Sequence, residues 1–160
     1  MKKLTMELQI KVNGEDQVFS ISPNDRLSDA LRRQGYLGVK TGCYTGDCGT
    51  CTVLLDGEPI VSCLMLAAQA QGASIATVEG MARGGRLHPL QEAFLDEGAV
   101  QCGFCIPGML LSAQALLNRN PEPSEDEVRE AFAGNLCRCT GYERPVRAVL
   151  KAAVRMRGAK

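Results

Sequence analysis

Residues 42–51 read "GCYTGDCGTC". Cys43, Cys48 and Cys51 fall within nine residues, and Cys63 follows twelve residues later. The chain of 160 residues carries eight cysteines. Its opening segment alternates Met6, Leu8, Ile10 and Val12 with Glu7, Gln9 and Lys11. That is the period of a half-buried strand, not the apolar core of an export signal, so the expected location is the cytoplasm. A disulfide framework is unexpected in a reducing compartment. Isolated buried thiols do not come in tight groups, which leaves metal ligation. The 18 Lys and Arg balance the 18 Asp and Glu, so no basic face for nucleic acid is expected. The longest apolar runs, such as "IPGMLLSAQALL", are too short to enter and cross a bilayer.

The first four cysteines are spaced C-x4-C-x2-C-x11-C, the plant-type [2Fe–2S] ferredoxin pattern. Thiolates must converge on two irons from one tight loop, and backbone N–H groups must face the sulfurs to stabilise an anionic cluster. Gly42, Gly46 and Gly49 supply the close approach and positive φ values this requires. Cys51 and Cys63 lie symmetrically about Gly57, so a regular hairpin is expected to make them cross-strand neighbours. Zinc is the competing metal. Structural zinc sites generally face two C-x2–4-C pairs, and Cys43 and Cys63 do not form a second pair beside Cys48 and Cys51.

Around this loop the first half reads as strand and helix. Residues 5–12 and "QVFSI" form a hairpin through Asn13-Gly14. Pro23, Asn24 and Asp25 open a short helix bearing Leu27, Ala30 and Leu31. "CTVLLDGEPIVSC" is a second hairpin turning at Asp56-Gly57, and "ASIATV" supplies a last strand. Two hairpins with one helix packed across the sheet make a small α+β domain. A glycine-rich linker covers 80–87, and beyond it the strand signals stop. Helices are expected over 88–97, 107–118, from the Ser124–Glu127 capping box onward, and over 144–156 with Val146, Val149, Leu150 and Val154 on one face. The expected organisation is therefore 1–79, linker 80–87 and a four-helix bundle over 88–160.

The remaining cysteines are Cys102, Cys105, Cys137 and Cys139, in "QCGFCIPG" and "NLCRCTGY". Both pairs sit near helix starts marked by Pro107 and Pro145, where unpaired N–H groups favour thiolates. Spacing alone fits a second binuclear cluster, and the C-x-C pair also suits zinc or copper.

The plant-type loop followed by "QCGFC" and "GNLCRCTGY" resembles the small iron–sulfur subunit of the xanthine oxidase family of molybdenum hydroxylases, over essentially the whole chain. The resemblance implies a β-grasp ferredoxin domain and a four-helix bundle, each holding one [2Fe–2S] cluster. It implies a large partner with a molybdopterin cofactor of cytosine dinucleotide type and a medium FAD-binding partner, in a dimer of heterotrimers. In that family electrons leave molybdenum through the helical-domain cluster, then the ferredoxin-like cluster, then FAD. By analogy Gln101 and Cys139 face the pterin, and Tyr44-Thr45-Gly46 faces the flavin. The chain itself is expected to hold no catalytic residue. The substrate the resemblance implies is a purine, another N-heterocycle or an aldehyde. The small subunits of carbon monoxide dehydrogenase and 4-hydroxybenzoyl-CoA reductase are alternatives, as are a free-standing two-cluster ferredoxin and a non-redox zinc scaffold.

The other conspicuous residues read as structural. His88 is expected to cap a helix or lie on the surface; Met109, Leu110 and Leu111 to pack the bundle; and Tyr142 to serve in the core or at an interface. Thr50, Ile106 and Pro145 depart from the family's usual alanine, threonine and isoleucine without removing a ligand.

Overall fold

The computed structural model describes residues 4–158. The first three residues expected in the N-terminal domain and the last two expected in the helical domain lie outside this range. Strands β1 (Met6–Val12) and β2 (Glu15–Ile21) pair antiparallel, Val12 opposite Glu15. The two-residue loop holds Asn13 and Gly14 at φ 53° and 90°, the mirror-type turn that matches strand twist. Leu8, Ile10 and Val12 enter the core as their alternation requires, whereas Met6 at the strand's start stays 40% exposed.

Helix α1 (Leu27–Arg33) buries Leu27, Ala30 and Leu31. Pro23-Asn24-Asp25 forms a turn ahead of it, in which Asp25 accepts from the Ser22 N–H at 2.7 Å. Strands β3 (Thr52–Leu55) and β4 (Glu58–Val61) form the second hairpin, and β5 (Ser74–Ala76) completes a sheet of order β2-β1-β5-β3-β4. β5 is parallel to β1 and antiparallel to β3. This mixed sheet grips α1 in the β-grasp arrangement, over a core of Leu8, Ile10, Phe19, Ile21, Leu27, Leu31, Val53 and Ile75.

One expectation fails at the second hairpin. Its loop is Asp56-Gly57, both at positive φ, so the hairpin's centre falls between them and Leu55 faces Glu58. Continuing that register sets Cys51 opposite Ser62 rather than Cys63. Ser62 donates to the Cys51 carbonyl from its N–H at 3.4 Å and from its hydroxyl at 2.6 Å.

The second half is four helices: α2 (Pro89–Asp96), α3 (Ile106–Arg119), α4 (Glu125–Phe132) and α5 (Glu143–Gly158). His88 caps α2, its Nδ1 accepting from the Leu90 N–H at 3.2 Å. Ser124 caps α4 reciprocally with Glu127. The bundle core contains Leu90, Phe94, Met109, Leu110, Val128, Phe132, Val146 and Val149. The buried face of α5 is Val146, Val149, Ala152 and Ala153; Val154 is 60% exposed. The expected apolar stripe turns aside there: Ala152 and Ala153 take the buried face and Val154 points to solvent.

The two halves are packed together. Leu111 and Ala115 of α3 close over Leu54 of β3, with Met81 and Ala76 beside them. Among the described residues no helix is long and apolar enough to cross a membrane.

Candidate metal centres

The first cysteine loop leaves α1 and returns into β3. Arg32 braces its entry by donating to the carbonyls of Leu37 at 3.2 Å and Val39 at 2.8 Å. Tyr44, at φ 58°, is clamped between the Arg26 guanidinium, 4.7 Å from its ring centre, and Asp29, which accepts from its hydroxyl at 3.1 Å. Between them the loop turns its N–H groups inward: those of Thr45 and Cys48 both point at Cys43 Sγ, 3.4 Å away. The Thr45 hydroxyl and these two N–H groups pull the Cys43 thiol down to about 6. Cys51 is pushed up to about 11, chiefly by burial. The cradle has no spare room. A Cβ at Gly42 would lie 2.9 Å from Cys48 Sγ.

The thiols meet in twos. Cys43 is perturbed by neighbouring Cys48, and Cys51 by neighbouring Cys63, which the turn after Val61 carries back beside it. In the helical half Cys102 and Cys139 lie with their sulfurs 3.5 Å apart, both exposed, while buried Cys105 meets Cys137. Burial pushes Cys105 up to about 12, and contact with Cys102 raises Cys139. Burial works to raise Cys137 too, but the Thr140 hydroxyl and the N–H groups of Thr140 and Cys139 outweigh it and leave that thiol lowered.

This pairing tests which metal the donors fit. A disulfide needs sulfurs about 2 Å apart, which 3.5 Å excludes. Two thiolates on one tetrahedral metal, each at about 2.3 Å, are separated by roughly 3.8 Å. A mononuclear zinc site would gather all four sulfurs around one point. Among the described residues no three Cys, His, Asp or Glu side chains are arranged to hold a single ion. Two pairs per site are what a binuclear cluster uses, one pair to each iron.

A seam of hydrogen bonds joins the two sites, and sequence reasoning missed it. Asn135, 3% exposed, donates from Nδ2 to the Gly49 carbonyl at 2.9 Å and to Thr52 Oγ1 at 3.2 Å, while its Oδ1 accepts from Ser112 at 2.6 Å. The next N–H, of Leu136, donates to the Cys48 carbonyl at 2.9 Å. The one after, of Cys137, donates to the Tyr142 hydroxyl at 2.8 Å, and that hydroxyl donates to the Asn135 carbonyl at 3.1 Å. Three consecutive residues thus fix a helical-half cysteine against the loop between Cys48 and Cys51. The backbones touch so closely that a Cβ on Gly49 would fall 2.0 Å from the Gly134 carbonyl oxygen. Gln101 is exposed beside Cys102, and among the described residues its amide has no hydrogen-bond partner.

Comparison with known proteins agrees with this geometry. Residues 10–76 match the 2Fe-2S iron-sulfur cluster binding domain, and 77–150 match the [2Fe-2S] binding domain. The chain is 50% identical to the nicotinate dehydrogenase small FeS subunit of Eubacterium barkeri, covering 89% of this chain and 90% of that one. It is 48% identical to the xanthine dehydrogenase iron-sulfur-binding subunit of Escherichia coli O157:H7, covering 91% and 93%. It superposes on a chain of quinoline 2-oxidoreductase from Pseudomonas putida 86 with a TM-score of 0.93 at 49% identity, covering 96% and 97%. Paired thiols, a β-grasp fold docked on a four-helix bundle, and these relatives all agree: the chain belongs to the xanthine oxidase family of molybdenum hydroxylases, as its small electron-transfer subunit carrying two [2Fe–2S] clusters.

Proposed function

We propose that the eight cysteines are the ligands of those clusters: Cys43 and Cys48 on one iron, Cys51 and Cys63 on its neighbour, then Cys102 with Cys139 and Cys105 with Cys137 in the helical half. The observation that carries this is the meeting of the thiols in four pairs. Each cluster, when bound, takes up and gives back one electron. The chain's own work is to hold the sulfurs, direct N–H groups at them, and limit water at the buried ligands Cys51, Cys63 and Cys105.

The exposed Cys102–Cys139 edge, with Gln101 beside it, faces the molybdopterin subunit, where the Gln101 amide can pair with the pterin edge. The loop over Tyr44-Thr45-Gly46 faces the FAD subunit. Electrons enter at the helical half and leave through the ferredoxin-like half. The complex hydroxylates a nitrogen heteroaromatic ring; relatives named for nicotinate, xanthine and quinoline support that class. The molybdopterin is a cytosine dinucleotide, the assembly is a dimer of heterotrimers, and it resides in the cytoplasm. The ferredoxin-like domain spans 1–79 and the helical domain 88–160, with 80–87 between them.

Rapid-reaction spectroscopy of the assembled complex tests the order of transfer. With Cys43→Ser or Cys48→Ser, substrate should still reduce molybdenum while flavin reduction is lost. Normal flavin reduction in a correctly assembled variant lacking that cluster would contradict the order.

A further inference from the structure

Beyond the Thr45 hydroxyl at Cys43, two further threonine hydroxyls touch cysteine sulfurs, one in each half. Thr50 Oγ1 lies 3.3 Å from Cys48 Sγ, and Thr140 Oγ1 lies 3.1 Å from Cys137 Sγ. Between a thiol and a hydroxyl either atom can donate. A sulfur bound to iron is a thiolate with no proton, so in the loaded protein only the hydroxyl can.

The surroundings leave each hydroxyl aimed that way. Thr50 is 5% exposed, and the only buried side-chain oxygen or nitrogen without a partner among the described residues is Ser28 Oγ. The partner of the Thr50 hydroxyl is Cys48 Sγ. A Cβ at Gly42 would lie 3.0 Å from Thr50 Oγ1, so the loop closes over this contact from the other side. In the helical half Thr140 Oγ1 accepts from the Tyr142 N–H at 3.2 Å, which leaves its own proton for Cys137.

We propose that Thr50 and Thr140 are potential-setting residues, each holding its own cluster at a higher reduction potential through an O–H···S bond. The proposal rests on Cys48 and Cys137 being ligands. Reduction adds one electron and no proton to a cluster, and the added charge is shared with its thiolate sulfurs. The hydroxyl keeps its proton and bonds the more negative sulfur more strongly, so the reduced form gains. Thr50 is drier than half-buried Thr140, and its effect is the larger because the local dielectric is lower. The two contacts lie in separate halves, so each cluster moves without the other. The gap between the potentials sets how far an electron favours the outgoing cluster, and Thr50 on one side and Thr140 on the other adjust it.

The test is a potentiometric titration of the assembled oxidoreductase, followed by EPR, for wild type, Thr50→Val, Thr50→Ser and Thr140→Val. Thr50→Val should shift one signal's midpoint negative, by about tenfold in the reduced-to-oxidised ratio at fixed potential, or about 59 mV for one electron. Thr140→Val should shift only the other signal, by less, and Thr50→Ser should restore the wild-type midpoint. If valine at position 50 prevents assembly, Thr50→Ala removes the hydroxyl without bulk and should give the same shift. Unchanged midpoints with both signals at full intensity would overturn the proposal, as would both signals moving together in either variant. A wild type lacking two signals would overturn the ligand assignment, and this proposal with it, before any variant is made.

Discussion

Asn135→Ala probes the seam on which the two cluster sites rest. The side chain is 3% exposed and makes three hydrogen bonds. Removing it costs the partners unequally. The Gly49 carbonyl still accepts from the Thr52 N–H at 3.1 Å and hydroxyl at 2.7 Å. The Ser112 hydroxyl loses its acceptor inside a buried helix face, and stranding such a group costs about 1–3 kcal/mol. Part of that returns if the hydroxyl turns back to a carbonyl one helical turn earlier. The expected net loss is about 2 kcal/mol, or ~4–8 °C in Tm for a chain of this size. Asn135→Asp should be worse, because it sets a carboxylate oxygen against the Gly49 carbonyl in a dry site, where the charge must take up a proton or break the seam. The assay is a thermal melt of the cluster-loaded chain, with hydrogen exchange read at the Leu136 amide that donates to Cys48. An aspartate variant as stable as wild type would refute the reasoning. So would an alanine variant losing under about 0.5 kcal/mol with Leu136 protection unchanged.

Gly49→Ala should cost more than Asn135→Ala and abolish the ferredoxin-type EPR signal, because a Cβ there meets the Gly134 carbonyl at φ 64°. Tyr142→Phe should lose about 1–3 kcal/mol by stranding the Cys137 N–H and the Asn135 carbonyl, measured as a lower melting point of the helical-half cluster's absorbance. Cluster reconstitution should slow as pH falls from about 8 to 6. Cys51 and Cys105 hold their protons up to about 11 and 12, and metal must displace each, so rising proton activity competes; a pH-independent rate would contradict this. Arg155 and Lys151 hold the carboxyls of Asp96 and Glu97 below their usual range. The stability they add is present above the unfolded value near ~4 and is lost as pH falls through the depressed native values. The acid slope of Tm should accordingly flatten in Asp96→Asn with Glu97→Gln.

Local chemistry made most of the fold legible. Asn13-Gly14 and Asp56-Gly57 demanded mirror-type turns, and Ser124 with Glu127 announced a helix start. Both groups of cysteines stood out because their spacing is a local property. What failed depended on counts of one residue or on neighbours far along the chain. The Cys51–Cys63 register shifted by one because the loop holds two residues rather than centring on Gly57. Val154 has the right helical spacing, yet no partner helix lies over it. Asn135 carried no signal of its own: its partners Gly49 and Thr52 are 86 and 83 residues away, and nothing in "AGNLC" says which loop the amide meets. Tyr142 was expected in the core or at an interface, and it does pack partly buried against the bundle core; what its residue type did not announce is that its hydroxyl ties down the segment bearing Cys137.

The central claim is that each half of the chain holds one [2Fe–2S] cluster on four cysteines. Low-temperature EPR with spin integration on the dithionite-reduced protein, beside Cys51→Ser and Cys105→Ser, tests it most directly. The account predicts two distinct S = 1/2 signals in wild type, each near one spin per chain, with Cys51→Ser altering only one and Cys105→Ser only the other. A single signal, or a colourless protein with stoichiometric zinc and no labile sulfide, would contradict it.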